Sequence, residues 1–326
     1  MTSFTAIDAH GHFVPAGLIA AAEAAASLPS INAVTLESGV KALAMPGLDV
    51  VRPMPGPLTS VTASHEWLES RHIGRQVVGT WADLLGYELP AAEGAYWCQL
   101  VNDLQLTELE GQDRLIPMAI LPLQDPAASV AEIARAYDAG YRTVTIGCSA
   151  GARQLDDPEL EQVWAELAQR GVGVVMHPMY HASEPHLSDL GLPNTVGRPH
   201  DTDIAVARLV LSGTLARHGG SKLLLMHGGG SIPLLWGRLE RNHALTPGTY
   251  DPEASRSALW VDTVVYRPES LEFLVAQMGA DRVMLGSDYP FPIQDPQPRE
   301  VVAAASLDDA VRTKILQTNA EVFFGL

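Results

Sequence analysis

The chain has 326 residues, 47% of them hydrophobic and 18% charged, enough apolar content for a sizeable core, which excludes a disordered tail or linker as its overall description. Asp and Glu number 38 against 21 Lys and Arg, a formal charge of -17, so its field repels nucleic-acid backbones and anionic membrane surfaces and neither is an expected partner. Two cysteines, Cys98 and Cys148, provide no disulfide framework and fit a reducing, cytoplasmic setting.

At the start of the chain no basic region precedes an apolar one, and no run anywhere reaches the roughly 18 apolar residues of a membrane span, so neither export signal nor anchor is expected. The first strand-like run, at 5–8, leads into Asp8-Ala9-His10-Gly11-His12. From about residue 13 to residue 75 the chain is rich in Pro and Gly and too long for an ordinary connection. It reads as an insertion, with one short helix near 18–26, capping the face where substrate enters. Further strand-like runs follow at 76–81, 115–121, 143–147, 173–177, 222–227, 259–263 and 282–288. Helix-compatible segments lie between them at 94–110, 127–139, 157–169, 202–218 and 268–278. Asp125 before Pro126 marks a helix start and Gly140 its end, and Asp157-Pro158 with Gly171 repeats that punctuation. Eight strands alternating with helices predict an α/β fold, a parallel sheet closed into a (β/α)8 TIM barrel as one domain over 1–326.

Side chains two apart on a strand share one side, so His10 and His12 can face one ion. The fifth run ends at His177, the sixth at His227 and the eighth at Asp288. In a closed barrel these ends meet around the C-terminal rim, where active sites of this architecture sit. Runs of Val, Leu and Met have no structural need to end repeatedly in imidazole and carboxylate, so the five polar side chains are expected to converge. Nitrogen and carboxylate donors without cysteine suit Zn2+, and also Mn2+, Fe2+ or Co2+. The three lysines, Lys41, Lys222 and Lys314, end no predicted strand, so no carboxylated lysine bridges two ions and a single divalent ion is expected.

These residues in this order resemble the amidohydrolase superfamily, and within it the branch of metal-dependent decarboxylases related to aminocarboxymuconate-semialdehyde decarboxylase. The resemblance spans nearly the whole chain. It rests on IDAHGHFVP, on RLVLSGTLARHGGSKLLLMHGGGSIPLLWGRLER and on VDTVVYRPESLEFLVAQMGADRVMLGSDYPFP; the middle of the insertion and residues 180–198 match poorly. It implies that His10, His12, His177 and Asp288 hold the metal, and that His227 stands beside metal-bound water as acid and base, with Asp8 in support. Electrostatics alone leaves His177 and His227 interchangeable, so that division of roles comes from the resemblance. The resemblance also implies that Arg52 offers its guanidinium fork to a substrate carboxylate, and that Arg238 reaches the active site of the neighbouring subunit in a homodimer. Arg198 and His200 stand where the family often has an apolar residue near Arg198, a departure that bears on substrate choice.

Gly228-Gly229-Gly230 fits neither phosphate-loop pattern and reads as a tight turn at the metal site. His65, His72, His181, His186, His200, His218 and His243 share no strand end and are expected by default to be exposed or locally bonded. Trp81, Trp236, Tyr289 and Phe291 are expected in the core by default. The expected reaction is non-oxidative decarboxylation of a small aromatic, heteroaromatic or muconate-like carboxylic acid. Hydrolysis or hydration of a lactone, amide or enol at the same centre is the alternative, because water activation and carbanion stabilisation draw on overlapping residues. A metal-binding barrel without turnover is a third reading, disfavoured because every expected polar strand end is occupied.

Overall fold

The computed structural model describes residues 5–48, 51–179 and 186–326. Strand β1 (Ile7–His12) pairs in parallel with β2 (Arg75–Gly79), and β2 with the first half of β3, Leu115–Pro117. Pro117 has no N–H for a ladder. The strand breaks there, Met118 N donates to Val78 O at 2.9 Å, and the second half of β3, Ala119–Ile120, pairs onward with β4 (Thr143–Ile146). From β4 the sheet continues through β5 (Gly173–Met176), β6 (Lys222–Leu225), β7 (Leu259–Asp262) and β8 (Val283–Met284), all parallel.

Backbone bonds at 2.8 Å from Ala9 N to Leu285 O, from Asp288 N to His10 O and from His12 N to Tyr289 O close the ring. The expected eight-stranded barrel is therefore present. The same pairing explains why β1 runs on to His12 rather than ending at 8: the segment after β8 lies alongside the whole Asp8-to-His12 motif.

Helices Ala91–Glu108, Pro126–Asp138, Glu161–Arg170, Arg198–Leu211, Ile232–Leu245 and Pro268–Met278 cross between the strands. The expected punctuation holds: the Asp125 carboxylate accepts from Ala128 N at 3.0 Å, the Asp157 carboxylate from Glu159 N at 2.9 Å, and Gly171 ends its helix in the left-handed region. Two expected boundaries move. Pro158–Leu160 forms a 3-10 turn before its helix, and the segment expected at 202–218 starts at Arg198 and breaks at Gly213 before the short helix Thr214–Arg217.

Alternation along the strands divides the core. Val174, Met176, Leu223 and Leu225 join the main cluster, while Val175 and Leu224 join a second one with Ile7, Val77, Met284, Trp260 and Phe323. The C-terminal helix, Asn319–Phe324, contributes to that second cluster: Phe323 meets Trp260 edge to face at 5.5 Å and its carbonyl accepts from Lys222 Nζ at 2.6 Å. Apolar packing thus fills the barrel beneath the strand ends that carry the imidazoles.

Between β1 and β2 lie the helix Leu18–Ala24, an antiparallel hairpin of Asn32–Thr35 with Lys41–Ala44, a 3-10 turn at Gly56–Thr59 and the helix Val61–Ser70. Trp67 of that last helix stacks on Tyr289 with ring centres 4.5 Å apart. Among the described residues no helix is long and apolar enough to cross a membrane.

Candidate metal centre

Four strand ends meet as expected. One donor atom from each of His10, His177, His227 and Asp288 lies within 4.8 Å of all the others. His12 borders the same point, its Nε2 lying 3.1 Å from Asp288 Oδ1 and 3.3 Å from His10 Nε2. The sequence places His10 and His12 here by a local device. Pairing with β2 slips between Asp8 and Gly11, and a Cβ at Gly11 would collide with the Gln76 side chain, so a larger residue between the two histidines would displace Gln76 from Asp8. Beneath them the Asp8 carboxylate accepts from Gln76 Nε2 at 2.7 Å, Ser287 Oγ at 2.5 Å and His10 N at 3.0 Å. It braces the motif from below rather than joining the donor cluster.

Each inner imidazole has its other nitrogen committed to an acceptor. His10 Nδ1 lies 2.6 Å from Asp262 Oδ2, His12 Nδ1 lies 3.1 Å from Thr80 O, and His177 Nδ1 lies 2.8 Å from Pro178 O. If each Nδ1 carries the donated proton, each Nε2 turns a bare lone pair to the centre. His177 Nε2 is buried and has no hydrogen-bond partner. Lone pairs and a carboxylate oxygen packed this closely repel one another unless a positive charge sits among them. The donor set therefore fits a divalent cation, with three nitrogens and an oxygen of the kind such ions take.

Burial and the acidic neighbours act in opposite directions on these imidazoles. Burial, aided by the neighbouring imidazoles, holds His177 well below the ordinary histidine range, and burial also lowers His12 against the pull of Asp288. Burial works against a charge on His10 too, yet Asp288 and Asp262 outweigh it and push that imidazole up to about 10. Burial opposes ionisation of Asp288, but His10 and the other imidazoles hold its carboxyl well below the usual range. Asp8 is pushed up to about 6 by burial, against its three hydrogen bonds.

His227 differs from the inner three. It is 14% exposed, its Nε2 lies 3.5 Å from Asp288 Oδ2, and its buried Nδ1 has no partner. Its backbone is left-handed, with φ of 57°, and leads into Gly228, Gly229 and Gly230, all at positive φ. This is the tight turn expected of the three glycines. Gly228 N donates to Asp262 Oδ1 at 2.7 Å, so the turn is tied to the carboxylate that orients His10. Asp262, which ends β7, was not among the expected site residues. Its signal was present, since it is a carboxylate one residue from the end of the strand-like run 259–263.

A cavity of about 660 Å³ opens from His227 and Asp288, with Arg198, Tyr266 and Glu269 on its walls. Arg52 is not among the residues lining it; its guanidinium pairs with Asp83 and lies over the Trp81 ring, 4.9 Å from the ring centre. Arg238 is exposed on the helix Ile232–Leu245 and is also absent from the cavity wall. Trp81, Trp236 and Tyr289 are buried in the core, and Phe291 meets His12 edge to face at 4.8 Å. His218 bonds Glu161 and His243 bonds Thr249, as local partners, His200 is exposed, and His181 lies outside the described residues.

The chain belongs to the amidohydrolase family, whose model matches residues 7–326. It is 30% identical over 260 residues to 2-amino-3-carboxymuconate-6-semialdehyde decarboxylase of Dictyostelium discoideum, covering 77% of this chain and 72% of that one. The barrel superposes on 5-carboxyvanillate decarboxylase from Sphingomonas paucimobilis with a TM-score of 0.83 at 20% identity, covering 99% of this chain and all of the other. It also superposes on a dihydroxybenzoic acid decarboxylase from Polaromonas sp. crystallised with bound manganese, with a TM-score of 0.77 at 18% identity, covering 99% of this chain and 97% of that one.

Proposed function

We propose that this protein is a non-oxidative decarboxylase of a small aromatic, heteroaromatic or muconate-like carboxylic acid, acting with one divalent metal ion. The observation that carries the reading is the bare His177 Nε2, buried beside three further donors in a chain 30% identical to a decarboxylase. His10, His12, His177 and Asp288 are the proposed ligands. Three imidazoles and a carboxylate suit Zn2+ first, and the manganese in the Polaromonas relative makes Mn2+ the second choice.

Such an ion supplies Lewis acidity, drawing electron density toward substrate oxygens and away from the carbon that loses CO2. The chain's own residues do the rest. Asp262 fixes the tautomer of His10, and the Pro178 carbonyl fixes that of His177. His227, the most open of the four imidazoles, holds a proton on Nε2 against Asp288 Oδ2 and delivers it to the carbon left by the departing carboxylate. Arg52, on exchanging Asp83 for substrate, and Arg238, reaching across a homodimer, hold the departing carboxylate. Leu234, 72% exposed one turn before Arg238, supports such a contact. The segment between β1 and β2 is read as a cap on this rim of a single barrel domain, and the free, buried Cys98 and Cys148 accord with a cytoplasmic enzyme.

The test is a panel of hydroxy- and amino-substituted benzoates and pyridine carboxylates offered to metal-analysed protein. Stoichiometric CO2 with loss of one carboxylate is the expected result. Hydration or ring opening without CO2 would assign the site to hydration or hydrolysis instead.

A further inference from the structure

His227 stands in the left-handed region, and the three glycines after it continue at positive φ. An L-residue reaches that conformation at an energetic cost, so contacts outside the turn must hold the histidine there. Two carboxylates from other elements grip the turn at its ends. Asp262 Oδ1 accepts from Gly228 N at 2.7 Å, and Asp203 Oδ1 accepts from Ser231 N at 2.7 Å. Asp203 lies half-buried on the helix Arg198–Leu211. Ser231, at the N-cap of Ile232–Leu245, makes no capping bond with its own side chain, so the helix that follows the turn takes its cap from a neighbouring helix. The fit is close: a Cβ on Gly230 would stand 2.7 Å from Asp203 Oδ1 and 2.8 Å from Pro199 O.

We propose that Asp203 is a positioning residue: by anchoring Ser231 N it fixes the far end of the turn, and with it the place of the His227 imidazole beside Asp288. The inference rests on the reading of His227 as the proton donor in decarboxylation. Strand β6 and Asp262 hold the chain around the start of the turn. Pinned there alone, three glycines leave the remainder free to relax and His227 free to leave its strained conformation. A misplacement of about 1 Å costs a reacting group about a hundredfold in rate.

Zinc-loaded parent, Asp203→Ala and Asp203→Asn proteins are compared by crystallography and by CO2 release from the acid that the parent turns over best. Asp203→Ala should lower kcat by about ten- to a hundredfold with KM and zinc stoichiometry unchanged. Its His227 Nε2 should move from its place 3.5 Å from Asp288 Oδ2. Asparagine keeps an Oδ1 acceptor, so Asp203→Asn should restore most of kcat. If the alanine variant does not fold, Asp203→Ser, whose hydroxyl stops short of Ser231 N, replaces it. Each of four results would overturn the inference: a lowered melting temperature with kcat unchanged, a change confined to KM, loss of zinc together with kcat, or an asparagine variant as slow as the alanine one. If the parent releases no CO2 from any acid, the decarboxylase reading fails by itself. The crystal structures then decide the inference, and an unmoved His227 in the alanine or serine variant ends it.

Discussion

His10 Nδ1 and Asp262 Oδ2 lie 2.6 Å apart and both residues are buried, although 252 positions separate them in the chain. The carboxylate holds the imidazole in one tautomer, so Nε2 is left to face the other donors. Asp262 also accepts from Gly228 N and Val264 N, which ties the orientation of His10 to the turn that carries His227. A carboxylate behind a ligating histidine is worth about ten- to a hundredfold in metal affinity. Asp262→Asn keeps the shape but loses the charge, so chelator competition should show a loss of that size; undiminished affinity would mean that Asp262 only supports the turn.

His227→Asn separates acid from ligand. If the inner three histidines and Asp288 suffice to hold the ion, metal stoichiometry is retained while the rate of CO2 release falls about a hundred- to ten-thousandfold, the usual worth of a positioned acid or base. Metal lost together with activity would make His227 a ligand.

Removing the ion with a chelator should abolish turnover and lower the melting temperature, because the bare donors repel one another. At a free metal concentration a hundredfold above Kd the lost linkage is about 2.7 kcal/mol. Zn2+ or Mn2+ added back should recover both signals, and the ion that restores turnover identifies the working metal. A melting temperature indifferent to chelation would argue against a resident ion.

Asp295 predicts a pH effect on stability. Its Oδ1 accepts from Gln297 N at 2.9 Å, but Oδ2 is buried without a partner. Burial, with the charge of Glu300, raises this carboxyl above its ordinary value. The folded chain then keeps the proton to higher pH than the unfolded chain. This residue's contribution to stability is therefore greatest below the ordinary value of 3.8 and declines as pH rises through the raised one. Asp295→Asn should flatten that decline and raise the melting temperature at neutral pH by roughly 2 °C, as about 1 kcal/mol does in a chain of this size. Parallel melting curves for parent and variant from pH 3 to 7 would contradict it.

Asn102 joins a helix to the barrel. Its Oδ1 accepts from Ile120 N at 2.9 Å, and its Nδ2 donates to Ile120 O at 3.1 Å and to Glu132 Oε1 at 2.6 Å. Asn102→Ala strands a backbone pair at the split strand and removes a donor from a buried carboxylate. A loss of about 2–4 kcal/mol is expected in urea unfolding, with the metal content of the folded fraction unchanged.

The barrel was legible because its strands and helices announce themselves locally, through short β-branched runs, Asp125 and Asp157 before their prolines, and Gly171 after its helix. His10, His12, His177, His227 and Asp288 were legible for a related reason: the first two follow a strand-like run two residues apart, the other three each close one, and closure of the sheet brings run ends together. Asp262 was overlooked because one carboxylate at a strand end also reads as a turn residue. Arg52 marks where the linear reading stops. Its chemistry is visible in the sequence, but its pairing with Asp83 is not.

What the chain determines by itself is sidedness and chemistry, since a period of two along a strand and the donors available on each side chain are local properties. Tertiary structure alone determines which nitrogen of each imidazole faces the centre, because that depends on Asp262, Thr80 O and Pro178 O, two of them far away in sequence. It also determines which arginine reaches the cavity. Arg198, not Arg52, lines it, because a guanidinium at the end of a long, flexible side chain settles where its partners are, and those are assembled only when the barrel closes.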